Sequence, residues 1–336
     1  MNIAACIAVV ALHVNGGFWG FAYSNWWKFS LFIETSCYWA VPVFFMLTGA
    51  TLMDYRKRYN SSTFLKKRFH KTVIPFLFWS AVSIPWAVYI SHYLDITSVA
   101  TWKDIFNVFI NQQAMSIYWF FPPLFAIYLC IPLLSAIPED KRKFLFSGTI
   151  VYSFLSYSLY PTIAQILGLG INYAFQNPLN GGGYLVFVLL GYCITSYPLK
   201  KKQRLLIYIS GFCGWAIRYF YTLSKSYDLG YIDSTFSGYV NFPSVLLAVA
   251  VFTWFWYHDW SLLENPNIVK VIRQLSSASF GVYLIHFYIL RFIIDTFCIS
   301  MQSYGWSILG IPFVYGLSLT LVLVFKRIPF INNFIP

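Results

Sequence analysis

Between Pro42 and Pro75 an apolar run gives way to a dense basic loop, and the loop gives way to a second apolar run. Arg56, Lys57, Arg58, Lys66, Lys67, Arg68 and Lys71 crowd a segment that holds one acid, Asp54. Short loops with such a Lys/Arg excess stay on the cytoplasmic side of a membrane. This one stretch therefore fixes the direction in which every other apolar run is read. It also places a cationic surface where an anionic cytosolic molecule could dock.

A membrane span needs about 20 mostly apolar residues. The sequence predicts ten, over 2–22, 30–53, 72–93, 117–137, 144–161, 182–198, 205–223, 241–258, 276–298 and 307–325. The chain is 59% hydrophobic and only 10% charged, against about 25% charged in a soluble domain. The expected fold is an all-α polytopic membrane protein with about ten transmembrane helices and both termini cytoplasmic. It is expected as a single transmembrane domain over 1–336 with no appended soluble domain. The first run has the length of a signal-peptide core, but Gly16-Gly17-Phe18-Trp19 continue it where a small-residue cleavage site belongs, so it is read as a helix.

Charge placement tests this count. If the 54–71 loop is cytoplasmic, eighteen of the 23 basic residues fall on that side, and Lys28, Lys103 and Lys225 fall on the other. A net charge of +12 would suggest nucleic acid in a soluble protein. Here the charges sit between apolar runs and read as topology, so no nucleic-acid partner is expected and membrane lipids are. The outer loops 94–116, 162–181 and 224–240 are long and polar, which suits a carbohydrate or a lipid-linked sugar but is also the default at a membrane surface. The six cysteines lie in or beside apolar runs without metal-ligand spacing, so neither a metal site nor a disulfide framework is expected.

Ionisable residues inside apolar runs are costly, about 2.5–3.5 kcal/mol at mid-bilayer, and each has two readings. His13 lies past the middle of the first run; it either donates to a backbone carbonyl or serves as a general base for a hydroxyl nucleophile. His286, in the middle of the ninth run, reads as packing or as orientation of a neighbour. Arg291 and Asp295 are four apart on one helical face and read as a mutual ion pair. Arg218 has no acid within one turn, so it either snorkels outward or holds an anionic part of an acceptor, with snorkelling the plainer reading. Glu34, one turn into the second run, is as compatible with interfacial exposure as with function. His70, His92 and His258 are given no chemistry. No soluble-enzyme motif is present: no P-loop, no GxSxG, no HExxH.

Taken together, several stretches resemble the integral-membrane acyltransferase-3 family, and within it the bacterial surface-polysaccharide O-acyltransferases. NIAACIAVVALH resembles the first-helix pattern that ends in the family's histidine, which falls on His13. VPVFFMLTGATLM resembles a VPLFFxxSG signature, with Thr48 before Gly49 in place of serine. FLKKRFHKTVIPF places the family's cationic positions on Arg68 and Lys71. YWFFPPLFAIYLCIPLL and SFGVYLIH resemble the Trp-Phe helix and the late S-x-G-x-Y-x-x-H segment. One position departs. The family has Arg or Lys, ten residues, then His, and the basic position falls on Asn2.

The resemblance implies an enzyme of a bacterial plasma membrane. It would transfer an acyl group, usually acetyl, from cytosolic acyl-CoA to a hydroxyl of a surface polysaccharide or lipid-linked sugar. It implies His13 as base, and Arg68, Lys71 and the position of Asn2 against coenzyme A phosphates. Trp119, Arg218, Glu34 and His286 would border the substrate or support the site, and Thr48, Tyr118 and Trp119 are oxyanion donors by type. Two other classes fit the same runs: a transporter or flippase for a lipid-linked saccharide, and a non-catalytic relative, to which the missing charge at Asn2 adds a little weight.

Overall fold

The computed structural model describes residues 1–173, 176 and 181–335. Among these, the long elements are all α-helices, in the order α1 (Asn2–Val14), α2 (Asn25–Cys37), α3 (Ala40–Leu52), α4 (Ser61–Arg68), α5 (Ile74–Tyr89), α6 (Trp102–Ile110) and α7 (Phe121–Ser135). There follow α8 (Glu139–Ser153), α9 (Tyr160–Ile166), α10 (Leu185–Ser196), α11 (Lys201–Leu229), α12 (Phe242–Tyr257), α13 (Pro266–Phe297) and α14 (Tyr304–Phe325). The chain is an all-α multi-pass membrane protein.

Among the described residues, six helical stretches are long and apolar enough to cross a bilayer: Asn2–Trp19, Asn25–Lys57, Ser61–Tyr89, Ser116–Ser135, Pro266–Phe297 and Tyr304–Phe325. That is fewer than the ten the sequence predicts. All ten runs are helical; the four that fall short do so for two reasons. The runs at 182–198 and 241–258 become α10 and α12, of 12 and 16 residues. At 1.5 Å per residue these reach only about 18 and 24 Å, against a hydrocarbon core about 30 Å thick. Conversely, α11 has the length, at 29 residues, but carries Arg204, Arg218 and Lys225. The path from α8 through α9 begins with five charged residues and is dense in Ser and Tyr. The outer loop expected at 94–116 contains α6, whose start is a Thr101–Asp104 capping box. Part of the loop expected at 162–181, namely 174, 175 and 177–180, lies outside the described residues.

Prolines set the irregularities. Pro42 has no N–H for the carbonyl four residues back, and the break between α2 and α3 falls at Tyr38 and Trp39. A wide π-turn over Phe69–Val73 joins α4 to α5 immediately before Pro75. With no water in a bilayer core, carbonyls freed at helix ends need partners from the protein. At the end of α1, the Trp306 indole N–H donates to the Val14 carbonyl at 3.1 Å. Asn15 and Ser30 satisfy each other in the same region, with Asn15 Nδ2 donating to the Ser30 carbonyl at 2.9 Å and Ser30 Oγ donating to Asn15 Oδ1 at 2.7 Å.

Helix α1 sits at the centre, packed against α2, α3, α13 and α14. Helix α10 lies directly against α3 at a crossing made by Gly49 and Gly191. The basic loop after α3 is pinned to the start of α8: Arg142, nearly buried, donates to Asp54 at 2.7 Å and to the Ser135 carbonyl at 2.7 Å. Lys57 pairs with Glu139 at 2.8 Å.

Candidate active site

His13 emerges from the last turn of α1 into a cavity of about 460 Å³ lined by Trp19, Ser116, Trp119, Phe287, Arg291 and Met301, among others. Its ring lies 5.1 Å from that of His286, centroid to centroid, and edge-on to Phe287 at 5.7 Å. The loop after α13 closes over this region so tightly that a Cβ on Gly17 would meet the Met301 carbonyl oxygen at 2.7 Å. Only glycine allows that approach. Arg291 reaches the cavity wall while paired with Asp295 at 3.1 Å, the ion pair expected from their spacing.

A second cavity, of about 390 Å³, lies near the other end of α1. Arg68, Lys71 and Lys326 line it with Thr48, Tyr128 and Ser277, and among the described residues no acid borders it. The structure divides the basic loop into two jobs. Arg56, Lys57 and Arg58 are spent on the protein itself, bonded to Ser135 and Pro132, to Asp54 and Glu139, and to the Thr51 carbonyl. Arg68 and Lys71 face the cavity instead. Lys326 was legible only as a tail charge; its Nζ donates to the Ser277 carbonyl at 2.8 Å. Partial burial and then the charge of Lys71 push Lys326 below the usual lysine range. Lys71 acts electrostatically on Lys326, and with Arg68 the two make this cleft cationic, a lining whose chemistry suits an anion.

Between the two lies a smaller cavity of about 120 Å³, bordered by Asn2, Val9, Ser276, Ser279 and Tyr283. It shares Phe44, Phe120 and Phe280 with the cationic cavity. Towards His13 it is shut by Tyr283, whose hydroxyl donates to the Ile117 carbonyl, and Ile117 lines the His13 cavity. Asn2 donates to the Ser276 carbonyl at 3.0 Å and to its hydroxyl at 3.2 Å. It lies in the path between the cavities but carries no charge to it.

Trp119 sits on a tight turn, Ser116–Phe120, held to α13 by two tyrosines. Tyr118 donates to the Leu284 carbonyl at 2.8 Å and Tyr283 to Ile117. The Tyr118 hydroxyl is thus committed to backbone, and that of Thr48 donates to the Phe44 carbonyl at 2.9 Å. Of the three oxyanion donors suggested by type, only Trp119 borders the His13 cavity.

Arg218 and Glu34 do not behave as interfacial residues. Arg218 is 5% exposed and Glu34 4%. The guanidinium lies 3.3 Å from the Tyr38 ring centroid and donates to Ser244 at 3.1 Å, so it packs between helices and does not snorkel. Tyr38 stacks on Tyr239, and Tyr239 on Trp119, with centroids 4.1 and 5.4 Å apart. The buried arginine therefore ends an aromatic column whose other end borders the His13 cavity.

A family model described as an acyltransferase domain matches residues 3–327. No curated protein and no solved structure matches the chain.

Proposed function

Because the chain belongs to the acyltransferase family whose model spans nearly all of it, we propose that this membrane acyltransferase moves an acetyl group from cytosolic acetyl-CoA to a hydroxyl of a surface polysaccharide or lipid-linked sugar. The observation that carries the reading is the succession of three cavities along α1. A cationic one shares Phe44, Phe120 and Phe280 with a narrow one bordered by Asn2 and Val9, whose Tyr283 bonds to Ile117 in the wall of the His13 chamber. Asn2 and His13 are eleven positions apart, about 16 Å of helix. A donor with a multiply charged nucleotide at one end and a slender thioester arm at the other has the matching shape and charge order.

In this reading Arg68, Lys71 and Lys326 hold the donor's phosphates, and Asn2 borders the arm through hydrogen bonding alone. His13 removes the proton of the acceptor hydroxyl as its oxygen attacks the thioester carbonyl. The C–S bond breaks and the coenzyme thiolate leaves. The Trp119 indole N–H is the donor of suitable type for the developing oxyanion, and its ring offers an apolar face for a sugar. Saccharide transport is the competing class, and it needs neither His13 nor acyl-CoA. Release of labelled coenzyme A that depends on acceptor separates the two.

The donor assignment is tested by charge removal. Arg68→Ala, Lys71→Ala and Lys326→Ala should each raise the acyl-CoA KM several-fold more than the acceptor KM. Their effect should shrink in high salt, since screening weakens exposed charge contacts. Unchanged acyl-CoA kinetics in a correctly inserted triple variant would remove these residues from the donor site.

The proposed topology keeps all ten helical runs as spans or buried half-spans, with the 54–71 loop and both termini cytoplasmic. The four shorter or more polar runs are consecutive in sequence, so counting six spans or ten leaves both termini on the same side. Cys298, exposed just past α13, should react with a membrane-impermeant maleimide on intact cells, and Cys298→Ser should abolish that labelling. Cysteines placed at Asn60 or Lys202 should react only after lysis. Labelling of position 60 on intact cells would reverse the orientation.

A further inference from the structure

His286 is 0% exposed, and one side of its ring is fully engaged. Nδ1 lies 2.8 Å from the Tyr283 carbonyl oxygen and 3.1 Å from that of Val282. Two carbonyls accept and cannot donate, so Nδ1 carries the proton. The neutral ring then has a bare lone pair on Nε2. Among the described residues that atom has no hydrogen-bond partner. A buried acceptor left unpaired is costly, of order 1–3 kcal/mol, and such an atom in a native protein calls for an explanation. Two polar rings pack against His286: Tyr283 at 5.9 Å and His13 at 5.1 Å between centroids. The Tyr283 hydroxyl is already given to Ile117. His13 remains.

The geometry points to His286 as the positioning residue of His13. With its own tautomer locked by backbone, His286 presents Nε2 as an acceptor for one N–H of His13. At 5.1 Å between centroids the two rings are close enough for that bond once His13 turns an N–H toward Nε2. It fixes the proton of neutral His13 on the nitrogen facing His286 and leaves the other nitrogen bare toward the chamber. When His13 takes a proton, the bond to His286 stabilises the imidazolium, the role a carboxylate has in a serine-hydrolase triad. His286 itself does not relay the proton onward, because its Nδ1–H is held between two carbonyls.

This inference rests on His13 being the base, and the test separates the two. His286→Phe fills the apolar site but removes the acceptor; His286→Gln restores an acceptor oxygen. His286→Phe should lower kcat roughly 10–100-fold, the range typical of losing an orienting partner, with acyl-CoA and acceptor KM within about twofold. His286→Gln should recover a substantial part. In ¹⁵N-histidine NMR of the intact protein in lipid, His13 should occupy one neutral tautomer in the wild type and a mixture in His286→Phe, with no turnover involved. Added to His13→Gln, His286→Phe should cause little further loss. A wild-type kcat, or an unchanged His13 tautomer in His286→Phe, overturns the positioning role even if His13→Gln is inactive. An active His13→Gln overturns the base assignment instead.

Discussion

His13→Gln should cut acyl transfer about 10²–10⁴-fold, the usual cost of removing a general base, in a protein that still inserts and still binds acyl-CoA. Glutamine keeps a hydrogen-bonding side chain of similar reach but cannot accept the proton. The comparison with His13→Ala therefore isolates proton transfer from packing, and the two should be nearly equally inactive. His13 is well placed for the selective outcome. It is half-buried at a cavity wall, and the backbone around it is held by other groups: Trp306 on Val14, and Ser30 on Asn15. Removing its imidazole should thus leave α1 in place, with melting temperature near that of the wild type. Near-normal turnover by His13→Gln would make His13 structural and end the proposed mechanism.

How much of this was legible beforehand depends on distance in sequence. Helix existence follows from local apolar content, so every expected run is helical. Whether a run spans depends on where its helix stops, and α10 and α12 stop early. The Arg291–Asp295 pair lies within one helix and could be read from spacing alone. Arg218 could not: its partners Tyr38 and Ser244 come from the α2–α3 break and from α12. Without them a lone arginine in an apolar run reads as snorkelling. Glu34 is likewise enclosed by neighbours that no periodicity reveals.

Lys326 shows the converse problem, a residue whose signal was present but absorbed by a coarser explanation. As a basic residue after the last run it satisfies the positive-inside rule, and nothing local separates that role from lining a cavity. The same ambiguity covers the seven cations of the 54–71 loop. Only contacts across the fold distinguish Arg56, Lys57 and Arg58, which brace the loop, from Arg68 and Lys71, which face a cationic cleft. Asn2 adds a constraint on energetics. In the proposed reading, with its amide bonded to Ser276, Asn2 adds no charge to the donor site, so removal of Arg68, Lys71 and Lys326 should cost more here than in a chain with a cation at this position.

The largest effect on the fold is expected at the α3–α10 crossing. A Cβ on Gly49 would lie 1.8 Å from the Val188 carbonyl oxygen, and one on Gly191 would lie 2.0 Å from that of Met46. Each glycine admits the other helix's backbone, as small residues do where membrane helices pack closely. The obstructing atoms are main chain, so no rotamer change relieves them. Overpacking typically costs about 1–3 kcal/mol and occasionally more, and rigid helices on both sides put Gly49→Ala and Gly191→Ala at the upper end. Against a total stability of about 5–15 kcal/mol, each should lower the melting temperature in detergent clearly and reduce the folded yield. The double variant should lose less than the sum, because one displacement makes room for both methyl groups. Gly148→Ala is the control: a Cβ there meets nothing within 4 Å, and alanine in α8 should be neutral or stabilising by about 0.5–1 kcal/mol. The same displacement moves Phe44 and Thr48, which line the cationic cavity, the proposed donor site, from α3. Folded Gly49→Ala should therefore also show a raised acyl-CoA KM. A wild-type melting temperature for Gly49→Ala would mean that α3 and α10 do not meet at these glycines.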